Sequence, residues 1–245
     1  MKKIISLAII AFLAISCGND EPSPQNPTPQ SDKGTATLSG NTLTYKTSSS
    51  THTFTLSENA TTTTVTFSHF PASQDEFAAL QSKLLGKSKP GTLALCLMSF
   101  EMYRRDRSVG EKCFKSCVLS AEATINIDRL RQKFPATRSA TTTDSYQQPY
   151  LVAAYLKGAT QANSYTPSEP YVITLTWNDN SNVNQGEHSS TYNGNVYHYY
   201  LLYNGGEKRS AAVLEPDGGG NMMVYSCGNL IMSVPTISSW NDLLK

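Results

Sequence analysis

The 245-residue sequence predicts an α+β fold, with antiparallel strands from both ends of the chain packed against about four helices over residues 73–134. Three observations carry that expectation. Apolar residues recur at every second position from Thr35 to Phe70, the spacing lengthens to a helical period between residues 73 and 134, and alternation returns after residue 150. Strands, then helices, then strands is a segregated order, unlike the strand–helix alternation that builds a parallel sheet.

In the first segment Ala36 and Leu38 alternate with Thr37 and Ser39, Gly40-Asn41 supplies a turn, and Leu43 and Tyr45 resume the pattern. His52, Phe54 and Leu56 share one face, as do Val65, Phe67 and His69, with threonine at most opposite positions. This reads as three or four antiparallel strands with one wet face. It makes His52 and His69 core or edge histidines rather than ligands.

Ser73 to Glu76 has the form of a capping box, followed by Phe77, Leu80 and Leu84 at helical spacing and a stop at Gly86. Gly91-Thr92 opens a second helix that is apolar nearly all round from Leu93 to Met102, and such a helix has to be central and buried. Ser108 to Glu111 starts a third, with Val109, Cys113 and Cys117 on one stripe, and Asn126 caps a fourth lined by Ile127, Leu130 and Phe134. Residues 135–148 are low in complexity and read as an exposed loop. Tyr150 to Lys157, Tyr171 to Trp177, Tyr197 to Tyr203, Ala211 to Leu214, Met222 to Cys227 and Leu230 to Val234 read as strands.

The start of the chain is an address. Lys2 and Lys3 precede an apolar run from Ile4 to Ile15, broken only by Ser6, and the small Ser16 stands directly before Cys17. The run is too short for a permanent membrane helix, which needs about 20 apolar residues, and its three parts are those of an export signal. Ala14-Ile15-Ser16-Cys17 resembles the lipobox of bacterial lipoproteins, although Ala14 stands where leucine is usual. An ordinary secretory signal is the alternative. The resemblance implies a lipoprotein signal peptide at residues 1–16 and lipidation of Cys17, hence a membrane partner reached through the lipid anchor. The location implied is the cell envelope, at the outer membrane.

Residues 17–34 read as a flexible tether. Gly18 to Gly34 holds no large apolar residue, and Pro22, Pro24, Pro27 and Pro29 favour an extended spacer. Asp20 and Glu21 resemble the acidic export signals of surface lipoproteins in some gut bacteria; the surface and periplasmic faces both stay open. Residues 35–245 form a single domain of ordinary size.

Losing Lys2 and Lys3 with the signal turns the formal charge from +1 to −1. That balance leaves no electrostatic footprint for nucleic acid. Cys96, Cys113, Cys117 and Cys227 all lie in apolar segments. Export permits disulfides, so two outcomes stay open: buried thiols, or one bridge from Cys96 to Cys113 or Cys117. Cys113 and Cys117, four apart on one helix, are badly placed to bridge each other. They are not a zinc signature, since no histidine or second close pair completes the ligands.

Catalytic motifs are absent from the sequence: no zinc-protease helix, nucleophile elbow, phosphate loop or dinucleotide fingerprint, and no cofactor is implied. Glu187, His188 and Asp217 are the polar candidates for an unrecognised hydrolase-type site, with exposed turns as the plainer explanation. Tyr197, Tyr199, Leu201 and Tyr203 project to one strand face, with Trp177 on a neighbour. Aromatic faces stack on sugar rings while tyrosine hydroxyls bond at the edge. Trp177, Tyr197, Tyr199 and Tyr203 are therefore a candidate ligand face, unless Leu201 marks the row as core.

Two passages carry a further resemblance. Tyr155-Leu156-Lys157-Gly158-Ala159-Thr160-Gln161-Ala162-Asn163-Ser164-Tyr165-Thr166-Pro167, with Pro170-Tyr171, and the later turn Tyr203-Asn204-Gly205-Gly206 resemble a family of domains of unknown function from gut and oral bacteria. The similarity runs from Phe70 to Val234. Members usually continue the late turn with Ala-Asp and an arginine, whereas this chain has Glu207-Lys208-Arg209, so no role for that pair carries over. The resemblance implies a fold and no chemistry. The function expected is an undetermined role at the envelope, more in keeping with binding an envelope protein or other partner than with catalysis. A hydrolase-type enzyme or a glycan-binding surface lipoprotein is the alternative.

Overall fold

A computed structural model describes residues 33–135, 146–177, 186–242 and 244–245. The signal, Cys17 and the tether up to residue 32 lie outside the described residues, as do residues 136–145 and 178–185 of the two polar loops.

The fold is α+β: a curled nine-stranded antiparallel sheet with four helices. Strands β1 (Thr35–Ser39), β2 (Thr42–Lys46), β3 (Thr51–Glu58) and β4 (Thr62–Phe67) form a meander. β4 then pairs along its whole length with β5 (Tyr171–Trp177), from Thr62 opposite Thr176 to Phe67 opposite Tyr171. The sheet continues through β7 (Gly194–Tyr203), β8 (Glu207–Pro216) and β9 (Met223–Ser226), while the short β6 (Glu187–Ser189) pairs with the start of β7. Alternation decides which side faces the helices. Leu43, Phe54, Val65, Phe67, Ile173, Leu175 and Leu201 are buried, and threonines such as Thr44, Thr55, Thr64 and Thr174 stand between them in register.

Helix α1 (Gln74–Lys83) begins where expected, with the Ser73 hydroxyl accepting from the Glu76 amide at 3.2 Å. Only half of the capping box forms. The Glu76 carboxylate turns to the Ala72 amide and to His52 Nδ1, both at 2.8 Å, because burial of this side chain requires both oxygens to be satisfied. His52 is a buried core histidine, stacked on His69 at 5.0 Å.

Helix α2 (Lys89–Arg105) is central, and every residue from Pro90 to Tyr103 is buried. It starts two residues before the expected Gly91. Ser88 is the cap, accepting from the Gly91 amide at 3.1 Å, and Pro90 is tolerated because the first helical amides lack partners anyway. Helix α3 (Arg107–Cys117) is capped by Asp106, not Ser108. Asp106 ends α2 through its own amide and starts α3 through its carboxylate, which accepts from Val109 at 3.0 Å. Helix α4 (Ser120–Lys133) begins six residues before Asn126, whose side chain bonds the Glu122 carbonyl inside the helix instead of capping it.

Residues 150–157 are not a strand. Tyr150 to Leu156 are all buried, folded through a 3-10 turn at Ala153–Tyr155. Leu156 alone bridges to Ile173. A short apolar run has no period to read when both of its sides are covered. The stretch from Leu230 to Val234 is likewise no strand: a 3-10 turn (Gly228–Ile231) leads into irregular chain.

Candidate functional site

The ends of several strands meet the start of α2 in a cleft of about 390 Å³. β3 delivers Glu58, β5 delivers Trp177, β7 delivers Tyr199 and β8 delivers Glu215, while Ser88 and Lys89 come from the helix start. The Ser88 hydroxyl donates to Glu58 Oε1 at 2.5 Å while accepting the Gly91 amide, so one side chain caps the helix and orients the carboxylate. Lys89 Nζ lies 3.0 Å from Glu215 and 4.2 Å from the centre of the Tyr197 ring. Trp177 and Tyr199 contact at 4.8 Å, tilted by 40°. Burial, reinforced by the nearby Glu58 charge, raises the Tyr199 phenol well above its ordinary value and keeps it protonated. The cleft thus offers an aromatic wall and two oriented carboxylates beside an ammonium. Both carboxylates are already partnered, Glu58 by the Ser88 hydroxyl and Glu215 by the Lys89 ammonium.

The tyrosine row is not an open platform. Tyr199 is 2% exposed and Leu201 fully buried, and Tyr197 and Tyr203 pack partly against the core, because this is the face turned to the helices. Trp177 and Tyr199 nevertheless come together at the cleft, and Tyr197 lies beneath the Lys89 ammonium. Tyr203 does not line it; it lies under the Arg209 guanidinium, 4.2 Å from the ring centre, and against Tyr155 at 5.7 Å.

His188 and Asp217 do meet, with Nε2 3.0 Å from Oδ2, but their side chains are 53% and 51% exposed. Glu187 does not join them; its charge acts on His198, on the same sheet.

The four cysteines of the domain are buried free thiols in the structure. Cys96 lies against Cys117 and Cys227, not against Cys113. Burial first, and then its two thiol neighbours, push the Cys96 thiol well up, and burial raises Cys113 to about 12. Among the described residues no cluster of histidine, cysteine or acidic side chains could hold a metal ion.

The two recognisable passages pack against each other. The Asn204 amide donates to the Ala154 carbonyl at 2.8 Å, and the Asn204 side chain accepts from the Gln161 amide at 2.8 Å. Asn163 closes the intervening turn: its oxygen accepts from Thr160 and Thr166, and its nitrogen donates to the carbonyls of Gly158 and Thr166. Tyr165, at φ +55°, is buried in a stack with Tyr150 at 5.2 Å, its hydroxyl donating to Pro235. These polar groups satisfy their own backbone, so the passage is a structural knot. A 300 Å³ groove beside it, over Gly158, Gly205 and Gly206, is lined by little that is charged except Lys157.

Of the cleft residues, sequence reading found only the aromatic ones. Glu58 and Glu215 are ordinary strand-end acids, and nothing local marks them. Ser88-Lys89-Pro90 carried a helix-start signal that could have placed Ser88.

Fold and site define an α+β protein with a polar–aromatic cleft and no assembled catalytic constellation among the described residues. The chain belongs to the family described as domain of unknown function DUF6935, whose model matches residues 69–238. No curated protein and no solved structure matches the chain.

Proposed function

We propose that this protein is a lipid-anchored, non-catalytic binding module of the bacterial cell envelope, with the cleft at the start of α2 as its binding site for a polyhydroxylated, sugar-like ligand. The observation that carries the reading is the cleft's composition. Trp177 gives a half-buried aromatic surface for an apolar ring face, and Glu58 and Glu215 stand oriented by Ser88 and Lys89 to accept hydroxyl protons. The anchor rests on Cys17 and the tether. An acyl chain contributes about 0.8 kcal/mol per buried methylene, and stable attachment needs more than one chain, which the three-chain lipoprotein cysteine supplies.

The test is a glycan array probed with the purified chain, followed by affinity measurements on the hits. Trp177→Ala is expected to weaken binding about tenfold, the scale of one lost aromatic contact with its buried area, and Glu58→Gln to weaken it further. An array without a signal from the intact chain overturns the ligand. For the anchor, Cys17→Ser is expected to leave the protein unacylated and unprocessed; an unchanged membrane fraction and mature mass overturn that half.

A further inference from the structure

We infer that a second cleft, between α2, α3 and α4 and away from the aromatic one, is an anion site that takes a phosphate monoester. The cavity measures about 500 Å³ and gathers Arg107, Lys112 and Lys115 from α3 with Arg131 from α4, against a floor that includes Tyr103 of α2. Such a concentration is not a consequence of a basic chain, whose formal charge is only +1.

Among the described residues, the acids that pair with these cations are Glu111, inside the cleft, and Asp128, beside Arg131. Lys115 Nζ lies 2.6 Å and Arg131 Nη2 3.6 Å from the Glu111 carboxylate, and Arg131 Nη1 lies 2.8 Å from Asp128. Four cations against two carboxylates leave an excess of two positive charges. Lys112 makes no ion pair among the described residues, and Arg107 uses one guanidinium nitrogen on the Phe134 carbonyl, which fixes the fork in place. Glu111 reports the local potential: the hydrogen bond from Lys115, with the charges of Lys115 and Arg131, holds its carboxyl below the ordinary value.

A phosphate monoester carries a charge of about −1.5 to −2 at neutral pH and three acceptor oxygens. It would neutralise the excess and accept from the Arg107 fork, from Lys112 and from the Ser108 hydroxyl at the same edge. A singly charged carboxylate would leave one cation uncompensated.

The test is calorimetric titration of the full mature chain in neutral detergent with glucose 6-phosphate, a monoester. Glycerophosphoglycerol, the deacylated diester head group of a phospholipid, is the second probe, and glucose is the uncharged control. Lys112→Gln/Lys115→Gln removes two exposed charges without touching the core, and Lys46→Gln, an exposed lysine on β2, serves as a remote surface control. The expected result is tighter binding of glucose 6-phosphate than of glucose, weakened by salt and reduced about tenfold or more in the double variant, with Lys46→Gln unchanged. Equal binding of the diester, which carries a single negative charge, would overturn the monoester assignment. Heat from neither phosphate probe, or an affinity that the double variant leaves intact, overturns the site. Neither outcome depends on the aromatic cleft or on Cys17.

Discussion

Glu101 is fully buried on α2 and accepts from Arg104 Nε at 2.7 Å, from Arg104 Nη2 at 2.5 Å and from Arg105 Nε at 2.8 Å. Arg104 in turn bonds Asp242 at 2.8 and 3.1 Å and lies over Trp240, so one buried acid ties the end of the chain to the central helix. Removing the charge leaves the buried Arg104 guanidinium with the partly exposed Asp242 as its remaining charged partner. Glu101→Gln is expected to cost about 3–5 kcal/mol, read as a lower midpoint in denaturant unfolding. A midpoint within error of wild type would show that the network contributes nothing net. Sequence reading could not single out this residue. A glutamate in an apolar helix shows that some polar partner is needed, and Arg104 and Arg105 lie three and four positions on, but the Asp242 that completes the network through Arg104 is far away in the chain.

Helix α3 crosses α2 at Gly110, which sits so close that a Cβ would stand 2.0 Å from the Tyr103 nitrogen and 2.1 Å from its Cα. Both are backbone atoms and cannot yield. On an exposed helix a glycine-to-alanine change stabilises by about 1 kcal/mol. Here the sign reverses: Gly110→Ala is expected to lose about 3 kcal/mol, lowering the thermal midpoint, and a stabilised variant would refute the close crossing. The elements themselves were largely legible. Period two identified β1 to β4, and the all-round apolar run identified α2 as central. Helix starts were legible only in part, because Ser73, Ser88, Asp106 and Ser108 are all competent caps, and the choice among them depends on where the neighbouring element ends. Tyr150 to Leu156 defeated periodicity for a different reason: residues covered on both sides have no polar face to set a phase.

At the scale of the whole molecule, the matched family region begins at residue 69, just past the end of β4 at Phe67. The sheet makes no such division. β4 pairs with β5 from Tyr171 to Thr176, and Leu43, Phe54, Val65 and Phe67 belong to the same core as α2. A chain starting at residue 69 would expose that edge of β5 and remove these residues from the interior. It is expected to lose cooperative thermal unfolding and aggregate, whereas a chain starting at Asp32 melts in one transition. Two equally sharp transitions would show that the matched region is an independent domain. The candidate cleft belongs to this scale too, since Glu58 comes from one side of that boundary and Trp177, Tyr199 and Glu215 from the other.

The chain's own order of residues determined the α+β class, the meander and the buried central helix, since each depends on periodicity or composition over neighbouring positions. Tertiary structure decided the rest. It turned the tyrosine row inward, brought Glu58 and Glu215 to Trp177, set Cys96 against Cys117 and Cys227, and collected four cations around Glu111. Those outcomes are contacts between residues far apart in the chain, and only the packing of sheet against helix fixes which distant side chains share a volume.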